Sequence, residues 1–137
     1  MMAYMSQETK AKLAPAIKEV LKKYGMKGTI GVKNHSTLVC NIKSGKIDLI
    51  GNMYDIAIKK PKSYYDKNKV KPTYMQVNEF SIKENYSETA LDFMMDLKEA
   101  MNLGNHDNSD IQSDCFDIGW YLSINVGNWD KPYQYIN

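Results

Sequence analysis

The sequence predicts an α+β fold: a two-layer sandwich in which a mostly antiparallel sheet of about 4–5 strands carries two helices on one face. Three observations lead there. From Phe116 to Val126, the apolar residues Phe116, Ile118, Trp120, Leu122, Ile124 and Val126 alternate with Asp117, Gly119, Tyr121, Ser123 and Asn125, the pattern of a strand with one buried face. Two stretches, near 6–25 and 87–104, repeat apolar residues at helical spacing. The chain has 137 residues, 43% of them hydrophobic and 25% charged, which suits one domain over residues 1–137 with a core of its own.

The elements follow in order. Ser6 is the expected N-cap of a first helix, Leu13, Ile17, Val20, Leu21 and Tyr24 form its apolar stripe, and Gly25 stops it. Pro15 removes a backbone donor, so this helix is expected to kink there or to begin near Ala14. Thr29 to Lys33, Thr37 to Lys43 and Ile47 to Ile50 alternate as three short strands of a meander, with turns at Asn34-His35-Ser36 and Ser44-Gly45-Lys46. Residues 59–73 hold six lysines, one aspartate and two prolines without amphipathic period, and read as a long, mobile surface insertion. Tyr74 to Ile82 is expected to return to the sheet. Ser87 then caps a second helix whose buried stripe is Ala90, Leu91, Met94, Leu97 and Met101, ended by Gly104.

Composition narrows the function classes. All 18 basic residues are lysine. Arginine is the usual bidentate reader of phosphates and guanine edges, so its absence argues against sequence-specific recognition of nucleic acid. Residues 1–73 carry fifteen lysines against five acids, and residues 74–137 carry three against eleven, a strong charge asymmetry within a net +2. The halves are expected to neutralise each other across the fold, or else to expose opposite faces that pair two copies as a homodimer or attract a charged ligand. No apolar run is long enough to span a bilayer, and the N-terminal MMAYMSQETKAK has no apolar stretch of the secretory kind. Cys40 and Cys115 form neither a disulfide framework nor a CxxC pair. The expectation is a cytoplasmic protein with buried thiols, no membrane partner, no cofactor and no metal.

Few residues are candidates for chemistry. His35-Ser36-Thr37-Leu38 matches one half of the motif of the two-histidine phosphoesterases, in which paired imidazoles act as acid and base and hydroxyls hold the phosphate. The second half would fall at His106-Asp107-Asn108-Ser109, where Asn108 stands in place of the hydroxyl residue. A metal-independent phosphoesterase using His35, Thr37 and His106 is therefore the alternative reading. Asp107, Asp110, Asp114 and Asp117 lack the spacing of a calcium loop and fit side-chain turns better. His35 with Lys59, Lys60, Lys62, Tyr64 and Tyr65 offers cations and rings to a nucleotide-like ligand. Tyr121, Trp129 and Tyr133 offer rings to a protein interface.

The stretches NHSTLV, IKSGKIDLIGN, GNHDNSDIQSDCFDIGWY and NVGNWDKPY together resemble a family of small, functionally uncharacterised proteins encoded by bacteriophages and prophages. The family has no assigned activity, so the resemblance carries no role to any position. What it implies is context: a non-enzymatic phage accessory protein in the host bacterial cytoplasm that binds a host target. Such a protein would antagonise antiviral defence by blocking a host protein or by sequestering a nucleotide-like signal.

Overall fold

The computed structural model of the protein describes residues 4–59, 71–103 and 119–136. The first helix, α1, spans Gln7–Lys23, and Ser6 caps it as expected, its Oγ accepting from the Thr9 amide at 3.0 Å. Pro15 does not interrupt it. Pro15 and Ala11, the residue whose carbonyl loses its helical donor, are both exposed, so that carbonyl lies on the side open to water. After Gly25, β1 (Met26–Lys33) and β2 (Thr37–Gly45) form an antiparallel hairpin around the expected turn, where Asn34 and His35 take left-handed φ values of 54° and 57°.

The expected third strand at Ile47 to Ile50 is instead the start of a helix, α2 (Leu49–Ala57). Asp48 is the reason: its Oδ1 accepts from the Gly51 amide at 3.0 Å and caps the first turn. Leu49, Ile50 and Met53 then face the core at helical spacing. The return strand expected over Tyr74 to Ile82 shrinks to β3 (Met75–Val77), because the Asn78 side chain accepts from the Phe80 amide in a turn that leads into α3 (Ile82–Asn85). The second long helix, α4, covers Glu88–Met101 and buries Phe93, Met94, Leu97 and Met101 completely. Asn52 of α2 holds Ser87 at its start through two 3.0 Å bonds, one to the Ser87 amide and one to its hydroxyl.

The long alternating strand is realised as β4 (Tyr121–Val126); Phe116, Asp117 and Ile118 lie outside the described residues. Trp120 precedes the strand, buried, with its indole N–H bonded to the Met101 carbonyl at 3.0 Å. A two-residue strand, β5 (Gln134–Tyr135), completes a five-stranded sheet of order β1-β2-β4-β3, with β5 also on β2. The α+β class stands, and the sheet is mixed: β1–β2 and β3–β4 run antiparallel, whereas β4 and β5 lie parallel to β2. Parallel pairing needs a crossover, and the segment from α2 to α4 supplies it.

Register divides the sheet cleanly into two faces. Ile30–Cys40–Ile124–Val77 and Ile42–Val126–Met75 are cross-strand rows on the inner face, where they meet Leu13, Ile17 and Leu21 of α1 together with the buried side of α4 in one apolar core. None of the described helices is long and apolar enough to cross a membrane.

Candidate functional site

The outer face of the sheet is built by the same alternation. Where Leu38, Cys40 and Ile42 point inward, Thr37, Val39 and Asn41 must point outward, and the register extends Asn41 into a row Thr29–Asn41–Asn125–Gln76 across four strands. Thr29, Asn41 and Gln76 are exposed and Asn125 is half-buried. A Cβ built on Gly31, on the same face, would meet nothing within 4 Å. The five strands contain no aspartate or glutamate, and their charges are Lys27, Lys33 and Lys43. Acids gather in the helical layer, where α4 carries Glu88, Asp92, Asp96 and Glu99. Among the described residues one ion pair, Lys23–Asp96 at 3.3 Å, joins the basic and acidic halves of the sequence. In the same layer α1 carries Lys10, Lys12, Lys18, Lys22 and Lys23, so the basic and acidic halves meet where α1 packs on α4, while the charges that the strands themselves carry are all basic.

At one end this face deepens into a concavity of about 810 Å³. Its cause lies in the register. On the β1 side Ile42 pairs with Gly28 and Ser44 with Lys27, so Lys43 is the extra residue of a β-bulge. On the other side Ile42 pairs with Val126 and Ser44 with Gln134, so the chain leaves β2 after Val126 and rejoins it after residues 127–133. Both irregularities fall at Lys43. The excursion forms one wall of the concavity, the Asn41–Asn125 row and Lys43 lie on its floor, and Tyr74 and Pro132 add ring surface. Within the floor, Asn125 Nδ2 donates to Asn41 Oδ1 at 3.0 Å and to Ser123 Oγ at 3.4 Å. Among the described residues this leaves Asn41 Nδ2, a donor, and Asn125 Oδ1, an acceptor, without protein partners. The charged groups lining the concavity are Lys43 and Lys131, and no carboxylate lines it.

The residues expected from sequence are scattered. His35 is exposed in the β1–β2 turn, its carbonyl accepting from the Met5 amide at 2.7 Å. It sits with Thr37 at the start of β2, roughly 20 Å of strand from Lys43. Lys59 is exposed beyond α2. Lys60, Lys62, Tyr64, Tyr65, His106, Cys115 and the acidic run Asp107 to Asp117 lie outside the described residues. Tyr121 is 49% exposed on the outer face of β4, and Trp129, 73% exposed, tops the 127–133 excursion. Tyr133 is corrected: its ring is buried, and its hydroxyl donates to the Ile47 carbonyl at 2.6 Å, so it anchors the excursion and offers no surface. Sequence reasoning missed Thr29, Asn41, Lys43, Gln76, Lys131 and Gln134. The available signal was the alternation itself, which sets acid-free and, apart from Val39, polar residues between the core positions of β2 and β4.

Other groups make no second centre. Cys40 is fully buried among apolar side chains, and burial pushes its thiol up to about 12. Among the described residues no three His, Cys, Asp or Glu side chains come together to hold a metal ion. No protein-family model, no curated protein and no solved structure matches the chain.

Proposed function

We propose that this protein is a non-enzymatic binding protein whose working surface is the open face of its sheet, acting as a phage accessory factor on a target in the bacterial cytoplasm. The observation that carries the reading is the polar, acid-free row Thr29–Asn41–Asn125–Gln76, which lines a concavity of about 810 Å³. A sheet with one solvated face needs only scattered polar residues there. A continuous row of three amides and a hydroxyl lining a recess is the arrangement of a ligand site, which joins a concave shape to a few convergent polar groups. The concavity offers no imidazole or carboxylate to activate its Thr29 and Ser44 hydroxyls, so binding accounts for its chemistry better than turnover. The phage context and the antagonism of host defence rest on the sequence resemblance alone.

The test is native mass spectrometry of the protein isolated from phage-infected bacteria, with an Asn41→Leu/Asn125→Leu variant beside it. The expected result is a retained small molecule or partner that the double variant loses while keeping its fold. Retention unaffected by the variant, or none in either protein, overturns the open face as the working surface.

A further inference from the structure

We infer that the concavity binds a nucleotide, with its phosphate held by Lys43 and Lys131 and its base read by the Asn41–Asn125 pair. This rests on the open-face reading above and adds the class of ligand.

Charge gives the first argument. The concavity is lined by two lysines and no carboxylate, in a sheet whose strands contain no acid at all; Asp130, beside Lys131 in the excursion, is exposed and not among the lining residues, so an anion in the recess meets net attraction. Lys43 is no ordinary strand lysine. As the unpaired residue of the bulge, it lines the recess together with its neighbour Ser44, whereas regular alternation would send one of the two to the core.

Hydrogen-bonding geometry gives the second. A bare phosphate would need only the lysines. The Asn41 and Asn125 side chains sit on adjacent strands and are joined by a 3.0 Å bond, which leaves one amide donor, Asn41 Nδ2, and one amide acceptor, Asn125 Oδ1, unpaired among the described residues. A nucleobase edge carries neighbouring donors and acceptors and matches such a pair. Tyr74, 48% exposed at the rim, supplies a face for stacking. Size agrees, since small-molecule sites run to roughly 300–1,000 Å³.

A protein partner fits the recess less well, because the centre of a protein interface is apolar and aromatic whereas this floor is amide. A strand of nucleic acid would want rings along the sheet, and Tyr121 is the only aromatic side chain that the described strands place on the outer face.

The experiment is titration calorimetry of the intact protein with AMP, GMP, CMP and UMP, with the matching uncharged nucleosides, with inorganic phosphate and with a single-stranded oligonucleotide. Amide chemical-shift mapping accompanies each titration. The inference expects at least one mononucleotide to bind more tightly than phosphate and than its nucleoside, with shifts at Asn41, Lys43 and Asn125. Lys43→Ala/Lys131→Ala should weaken it about tenfold or more. Asn41→Ala should change the ranking of bases while leaving phosphate affinity alone. Equal affinity for phosphate and every nucleotide, binding of the oligonucleotide alone, or no binding overturns the nucleotide assignment. Were another molecule retained from cells and mapped to the same residues, the open-face reading would stand and the nucleotide would fall; shifts confined elsewhere would end both.

Discussion

The Tyr133 hydroxyl donates a 2.6 Å hydrogen bond to the main-chain carbonyl of Ile47, tying the excursion of residues 127–133 to the segment that enters α2. The ring is buried, and its hydroxyl is held well above the ordinary tyrosine pKa, chiefly by that burial. Tyr133→Phe keeps the ring and removes the donor, leaving a carbonyl short of its partner. The expected loss is about 1–2 kcal/mol in urea denaturation. The same variant should speed hydrogen exchange at the Gly127 and Tyr133 amides, which bond to Ile42 and Thr73. Unchanged exchange there would mean the anchor is not Tyr133.

Gly28 and Gly31 lie on one strand and should answer oppositely to alanine. A Cβ on Gly28 would fall 2.5 Å from the Asn41 carbonyl oxygen, a backbone atom that cannot step aside without disturbing the bulge. Gly28→Ala should cost about 1–3 kcal/mol. Gly31→Ala meets open space and should be neutral or slightly stabilising, since alanine loses less freedom than glycine on folding. Circular dichroism melts of the pair decide it, and equal losses would show that the outer face is covered.

Cys40 should react only when the protein unfolds. Its thiol is wholly buried and its pKa is raised to about 12, so neither access nor thiolate is available in the native state. In a Cys115→Ser background, alkylation of Cys40 should track the urea unfolding transition. Rapid labelling in buffer would contradict its place in the core.

Two acids should shape the pH dependence with opposite signs. The Tyr24 hydroxyl at 2.7 Å, with Lys23 at 3.3 Å, holds the Asp96 carboxyl below its usual pKa against a smaller effect of burial. That contribution is complete above the ordinary carboxylate pKa and is lost as pH falls through the depressed value. Glu79 is the reverse. Burial raises its pKa, Lys98 offsets this only in part, and its Oε2 has no hydrogen-bond partner. Its protonated form suits the fold, so its cost grows as pH rises through the raised value. Asp96→Asn should therefore be less stable than wild type at neutral pH, and Glu79→Gln more stable, by up to about 1 kcal/mol. Both differences should vanish in acid, as measured by urea denaturation across a pH series.

Local signals in the sequence were strong for α1, the β1–β2 hairpin, α4 and β4, because Ser6, the Asn34–Ser36 turn and the alternation of β4 each state their structure within a few residues. Ile47 to Ile50 misled, since four residues can read as strand or helix and the deciding bond, Asp48 to Gly51, is a cap. The concavity was illegible for a different reason. Asn41 and Asn125 are 84 positions apart, and only the parallel pairing of β2 with β4 makes them neighbours. Tyr133 reads as surface in the sequence because an aromatic in a polar tail carries no mark of the carbonyl it will find. Lys43 looked like any outward lysine, since a bulge needs two registers to exist.

The excursion between β4 and β5 has a narrow neck: a Cβ on Gly127, whose φ is +71°, would come within 2.6 Å of the Tyr133 nitrogen. Its two ends thus meet, and the strand resumes along β2 as though little had intervened. Such a segment can change in length and sequence without re-threading the sheet behind it. Residues 128–132 can therefore be replaced or lengthened while Gly127 and Tyr133 keep the neck closed and the sheet in register.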